Sequence, residues 1–299
     1  MKTMLFSKEK PSHLFAIGES LLVTAIWASS FVLVKVGLAY MGPLTVAGLR
    51  YFLAFLVLLP FIARNGKAVR SLPSHLWMRL FAIGISAYTI GNGALFWGLK
   101  YLPATTGSFL MSISPLLVMF AGAIWLKEIP SRWQITGVIA CLIGSVLFFS
   151  PGLRPGEPLG IAIVSVGLLG FALFGILGRE VARGQQIGTL SLTAMPLAFG
   201  GGFLLLVALP LERMPNLAPI SWAIVLWLAI INTAFAYVLY NHSLQVLTAL
   251  EMNVMLNLTP LGTAVLAWLF LGETLTIVQI VGVVIVIIGV IFVQQARVR

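Results

Sequence analysis

The chain has 299 residues, of which 60% are hydrophobic and only 9% carry charge. A soluble domain is roughly 25% charged, so soluble enzymes and free nucleic-acid modules are excluded. The net charge of +10 comes from basic residues scattered through short loops, a pattern that reports membrane topology rather than a nucleic-acid face.

In chain order, apolar stretches run over about 14–34, 43–63, 76–99, 104–126, 132–150, 158–178, 189–210, 219–241, 247–271 and 275–294. Each is near the roughly 20 residues that a helix needs to cross a bilayer. Turn and charge signals separate them, among them Gly42-Pro43, Pro103, Lys127-Glu128, Pro151-Gly152 and Gly272-Glu273. None alternates in polarity as a barrel strand would. The first stretch follows Lys2, Lys8 and Lys10 and is too long for a signal-peptide core, so it reads as a retained helix. The expectation is an all-α integral membrane protein with ten transmembrane helices.

Counting residues removes several chemistries. One cysteine, Cys141, excludes a disulfide framework and a cysteine zinc site. The three histidines are far apart in the sequence, all eight acidic residues are Glu, and HExxH, GxSxG and Walker A motifs are absent. No metal, no cofactor and no enzymatic activity is expected.

Loop charges set the orientation. With a cytoplasmic N-terminus, twelve Lys and Arg fall in inside segments and four, Lys35, Lys100, Arg154 and Arg213, fall outside. By the positive-inside rule, both termini are expected in the cytoplasm.

The chain also repeats. Shifted by 145 residues, 102–148 lies on 247–293, with identities at Pro115/Pro260, Glu128/Glu273, Gln134/Gln279, Gly137/Gly282 and Gly144/Gly289. Five spans per half force the second half to cross the membrane in the opposite sense. The expected units are 14–150 and 158–294, two inverted five-helix repeats, an architecture typical of secondary transporters. Ser131-Arg132-Trp133-Gln134 and Thr276-Ile277-Val278-Gln279 both fit the capping-box pattern and predict helix starts. Glu128 is expected on the cytoplasmic side and Glu273 on the outer side.

The two halves, each with a Pro, a Leu-x-Glu turn, a Gln and glycines seven apart, resemble the EamA repeats of the drug/metabolite transporter superfamily. Trp27 and Arg50 fit that resemblance, which covers about 14–294. It implies a multi-pass protein of the bacterial inner membrane. Within the superfamily the likeness is greatest to exporters of aromatic amino acids.

Polar groups within the spans are the candidate binding residues. Ser108 and Ser112 share a helical face with Pro115, and Asn253 and Asn257 stand in the same register before Pro260. They either line a cavity or bond helix to helix. Tyr88 and Asn92 are four apart, as are Thr233 and Tyr237 at the equivalent repeat positions. Trp27 lies mid-span, whereas Tyr101 and Tyr240 are expected in the interfacial aromatic belt. Charged residues inside a span are costly. Glu19, Arg79 and Glu251 are expected close enough to the surface to reach it. Arg50, about two turns deep, is expected to meet either a substrate carboxylate or a backbone carbonyl.

The candidate cavity is therefore Trp27, Arg50, Tyr88, Asn92, Ser108, Ser112, Tyr237, Asn253 and Asn257. Its expected ligand is a small molecule, a neutral and preferably aromatic amino acid or related metabolite, exported by alternating access. Efflux of amphiphilic drugs or organic cations is the alternative. The expected surroundings are the lipid bilayer, without nucleic acid, and one chain holds both halves, so a monomer is compatible.

Overall fold

The computed structural model describes residues 10–37, 40–64, 71–98, 100–154, 156–212, 219–271 and 275–295. Ten apolar helical segments alternate in direction: α1 His13–Gly37, α2 Pro43–Ala63, α3 Ser74–Gly98, α4 from Ala104 to Leu126, α5 Arg132–Phe149, α6 Pro158–Gly184, α7 Thr189–Leu211, α8 Pro219–Ser243, α9 from Ala249 to Leu271 and α10 Ile277–Gln295. Among the described residues, nine are long and apolar enough to cross a bilayer. The tenth, α9, runs in two pieces, Ala249–Leu256 and Leu258–Leu271. Large apolar side chains point outward from α5 and α10, including Ile139, Val146, Ile280 and Ile287. In water such a surface would aggregate, and here it faces lipid.

The break in α9 has a twin in α4, which divides into Ala104–Met111 and Ser114–Ala121 before continuing to Leu126. Pro115 and Pro260 each follow the break by two or three residues. Proline offers no N–H and its ring crowds the carbonyl four residues back, so the ladder opens there. In α4, Leu116 N donates to Ile113 O instead of to Ser112 O. The freed Ser112 carbonyl accepts from Asn257 Nδ2 at 3.1 Å. The two repeat-related breaks are thereby joined to each other.

Wide turns also recur at equivalent positions. A π-helical stretch spans Ile85–Asn92 in α3 and another spans Ile230–Phe235 in α8. Each is closed by a side chain reaching back five residues: Asn92 Nδ2 donates to Ala87 O at 2.8 Å, and Thr233 Oγ1 donates to Leu228 O at 2.8 Å. Such bulges are frequent at functional sites.

Helices related by the repeat pack directly, α5 on α10 and α2 on α7. In the α5–α10 pair the glycine contacts are reciprocal. A Cβ at Gly144 would lie 2.7 Å from Gly282 O, and one at Gly282 would lie 2.7 Å from Gly144 O. Gly137 and Gly289 mirror this at 2.6 Å. Only glycine lets two backbones approach so closely. Both predicted capping boxes are present. Ser131 Oγ accepts from Gln134 N at 3.2 Å and Gln134 Oε1 accepts from Ser131 N at 2.9 Å. The corresponding bonds between Thr276 and Gln279 are 3.3 and 3.0 Å. The expected position of Glu273 lies outside the described residues.

The topology makes a direct prediction. Reporter domains fused after Arg299 and inserted into 151–157 should lie on opposite sides of the membrane, the former in the cytoplasm. Protease protection of both on the same side would contradict five spans per half.

Candidate functional site

Aromatic rings from both repeats converge at the middle of the bundle. Tyr237 of α8 sits among Trp27 at 4.9 Å, Tyr88 at 5.3 Å, and Tyr240 and Phe174 at 6.1 Å, ring centre to ring centre. Tyr240 stacks on Phe174 at 5.1 Å, and Tyr51 closes on Tyr88 at 4.6 Å. Tilted and edge-on pairs of this kind let the positive ring edge meet the negative face. Tyr240 is buried at 3% exposure, which corrects its expected place in the interfacial belt. A position near a helix end does not place a residue at the interface, because the last turns of α8 pack inside the protein against α1, α6 and α7.

Polar groups border this cluster. Arg50 is buried and spans from α2 to the π stretch of α8, where Nε donates to Thr233 Oγ1 at 2.6 Å and Nη2 donates to Asn232 O at 3.0 Å. Trp27 Nε1 donates to the same carbonyl at 3.0 Å. The wide turn exposes that carbonyl, which explains how it takes two donors. Arg50 thus meets a backbone carbonyl, one of its two expected partners, and its guanidinium also lies 5.4 Å from the Tyr51 ring centre. Asn232 Nδ2 donates to Ile26 O at 2.7 Å, while its Oδ1 is buried without a hydrogen-bond partner. Asn232 was not singled out by sequence, although its position in the α8 polar stretch next to Thr233 could have marked it. Asn92 sits at the rim, its side chain within reach of the Tyr51 hydroxyl.

Ser112, Asn253 and Asn257 form a second group where α4 crosses α9. Besides the Asn257–Ser112 contact, Asn253 Nδ2 donates to Ser114 Oγ at 3.0 Å, leaving Asn253 Oδ1 buried without a partner. Ser108 is half-buried one turn from Ser112 on α4. The structure therefore brings Trp27, Arg50, Tyr88, Asn92 and Tyr237 into one group and Ser112, Asn253 and Asn257 into another. Helix α1 stitches the two, with Thr24 Oγ1 donating to Met255 O at 3.3 Å and Trp27 bonded to α8.

Charged contacts gather at the face where α1 begins and α10 ends. Glu128, in the α4–α5 turn, accepts from Arg179 Nε at 2.7 Å and from Ala249 N at 3.2 Å. Arg179 Nη1 in turn donates to Leu244 O at 2.7 Å. One carboxylate and one guanidinium thus tie α4, α6, α8 and α9 together. Arg79 pairs with Glu180, which also accepts from Trp125 Nε1. Glu251 does not reach the surface as expected; it is 2% exposed and closes a capping box with Thr248 at the start of α9. Glu19 also departs from that expectation. It is 7% exposed and bonded to His242 Nδ1 at 2.8 Å and to Ser243 Oγ at 3.1 Å.

Inverted helical repeats with crossed, proline-broken helices and a polar, aromatic centre define a secondary-transporter architecture. The EamA-like transporter family matches residues 14–150 and 158–294, and the chain belongs to that family. Similar proteins include the uncharacterized transporter YyaM of Bacillus subtilis, 27% identical over 88% of each chain. Another is a probable amino-acid metabolite efflux pump of Salmonella typhimurium, 25% identical over 90% of this chain and 91% of the relative. A solved crystal structure superposes with a TM-score of 0.80 at 16% identity, covering 95% of this chain and 96% of the other, a likeness of fold.

Proposed function

We propose that the chain exports neutral amino acids or closely related metabolites across the bacterial inner membrane by alternating access between its two repeats. The observation that carries this reading is the central ring cluster. Trp27, Tyr88, Tyr237 and Tyr240 supply flat apolar faces for a hydrophobic or aromatic side chain. Arg50 and the unpartnered Asn232 Oδ1 border it and offer a donor for a carboxylate and an acceptor for an ammonium group. Ser108, Ser112, Asn253 and Asn257 add uncharged polar groups where α4 and α9 cross. A zwitterion fits such a site, whereas a further charge would be desolvated without compensation. The name of the Salmonella relative points the same way.

Efflux of organic cations fits less well. Among the described residues, the span carboxylates Glu19 and Glu251 already have protein partners, His242 and the Thr248 cap. The reading involves no covalent chemistry and no cofactor. It is tested by counterflow in proteoliposomes with labelled phenylalanine, leucine, lysine, glutamate and tetraphenylphosphonium. Phenylalanine and leucine should exchange at least tenfold faster than the others. Faster flux of lysine, glutamate or the phosphonium ion would replace this reading.

A further inference from the structure

Arg50 is a buried cation without a counter-charge. It is 8% exposed in α2, and among the described residues no carboxylate pairs with it. Glu19, Glu128, Glu180, Glu212 and Glu251 are each bonded elsewhere. The partners of Arg50, Thr233 Oγ1 and Asn232 O, are neutral oxygens. They solvate the charge and leave it uncancelled. A full charge within a span is costly and marks function there.

A guanidinium carries five N–H donors in a rigid plane, and its edges fit pairs of oxygens. In Arg50 the edge formed by Nε and Nη2 is filled from α8, at 2.6 and 3.0 Å. The adjoining edge, formed by Nη1 and the second Nη2 hydrogen, makes no hydrogen bond among the described residues. Helix α8 therefore fixes the plane of the group while an edge suited to a carboxylate stays free. The charge sits beside the ring cluster, 5.4 Å from the Tyr51 ring centre and close enough to act on the Tyr88 and Tyr237 hydroxyls.

Asn232 adds a second polar feature. It is fully buried, and its Nδ2 is committed to Ile26 O at 2.7 Å, so Oδ1 remains the group without a partner. An amide oxygen accepts from a hydroxyl as readily as from an ammonium, but it has no formal charge with which to offset the ammonium. A zwitterion therefore brings one charge that Arg50 cancels and another that restores an uncompensated cation to the buried centre. A monocarboxylate anion leaves the centre neutral.

We infer that the centre takes apolar monocarboxylate anions, with aromatic 2-hydroxy acids binding ahead of the matching amino acids. This rests on the transport reading above and narrows its solute. The carboxylate docks on the free edge of Arg50, the 2-hydroxyl donates to Asn232 Oδ1, and the side chain lies among the rings. The carboxylate is the required group, and the ammonium is only tolerated.

The test is competition against counterflow of labelled phenylalanine by the full chain in vesicles at pH 7, with protein-free vesicles correcting for leak. L-phenyllactate replaces the ammonium of phenylalanine by a hydroxyl and keeps a donor there, whereas phenethylamine lacks the carboxylate. Phenyllactate should halve the flux at about tenfold lower concentration than unlabelled phenylalanine, and phenethylamine should leave it unchanged. Asn232→Asp supplies the missing negative charge and should invert the order, phenylalanine competing ahead of phenyllactate. Equal or stronger competition by phenylalanine in the wild type overturns the proposal whether or not the variant folds. Inhibition by phenethylamine does the same, as does an unchanged order in folded Asn232→Asp. If phenylalanine does not move at all, the transport reading fails, and thermal unfolding of the purified protein decides the carboxylate site separately. Stabilisation by phenyllactate and not by phenethylamine supports it; stabilisation by neither, or by the amine, overturns it.

Discussion

Replacing Tyr237 by alanine should reduce neutral amino-acid flux per folded molecule by more than tenfold, while phenylalanine at the same position should retain most of it. Tyr237 touches Trp27, Tyr88, Phe174 and Tyr240 at once, so its ring joins the aromatic surfaces of the two repeats. Each such ring pair is worth about 0.5–1.5 kcal/mol beyond burial. A tenfold change in rate needs only about 1.4 kcal/mol, so losing two pairs at the transition between states is enough. Phenylalanine preserves the ring and removes only the hydroxyl. Counterflow in vesicles, normalised to the folded fraction from size exclusion, measures both. Normal flux in the alanine variant would move the solute pathway away from the ring cluster.

Gly144→Leu and Gly282→Leu should each prevent recovery of folded protein, whereas Gly18→Leu should be tolerated. At Gly144 a Cβ would meet Gly282 O at 2.7 Å and Val286 N at 2.8 Å, backbone atoms that cannot rotate away. Overpacking commonly costs about 1–3 kcal/mol, and here relief requires separating two entire helices. Gly18 has no heavy atom within 4 Å of its Cβ position. Detergent-extracted yield and the midpoint of thermal unfolding give the comparison. Wild-type stability in both α5–α10 variants would show that the pair does not hold the fold.

Much of the architecture was legible because its causes are local. Hydropathy marks the spans, hydroxyl-x-x-Gln marks two helix starts, and the 145-residue shift marks the repeat. The same local rule also covers Thr248-x-x-Glu251, but it sits at the head of an apolar run, where Glu251 reads as a misplaced charge. The pairing of Glu19 with His242 has no local signature, since 223 residues separate the two. The shared contact of Tyr237, Tyr88 and Trp27 depends on three helices meeting and follows from no single periodicity. The wide turns of α3 and α8 are equally silent in sequence, because their defining bonds reach back five residues to carbonyls that any residue type supplies.

The reciprocal glycine contacts carry a consequence for motion. Exchanging the two repeats maps the Gly144–Gly282 contact onto Gly289–Gly137 and back again, so the α5–α10 pair is unchanged by the exchange. An outward and an inward conformation can therefore share this pair as a common fulcrum, with the remaining helices trading roles around it. Under the proposed alternating access, the second state would need no separate blueprint. The conformation of each half would be the template for the other.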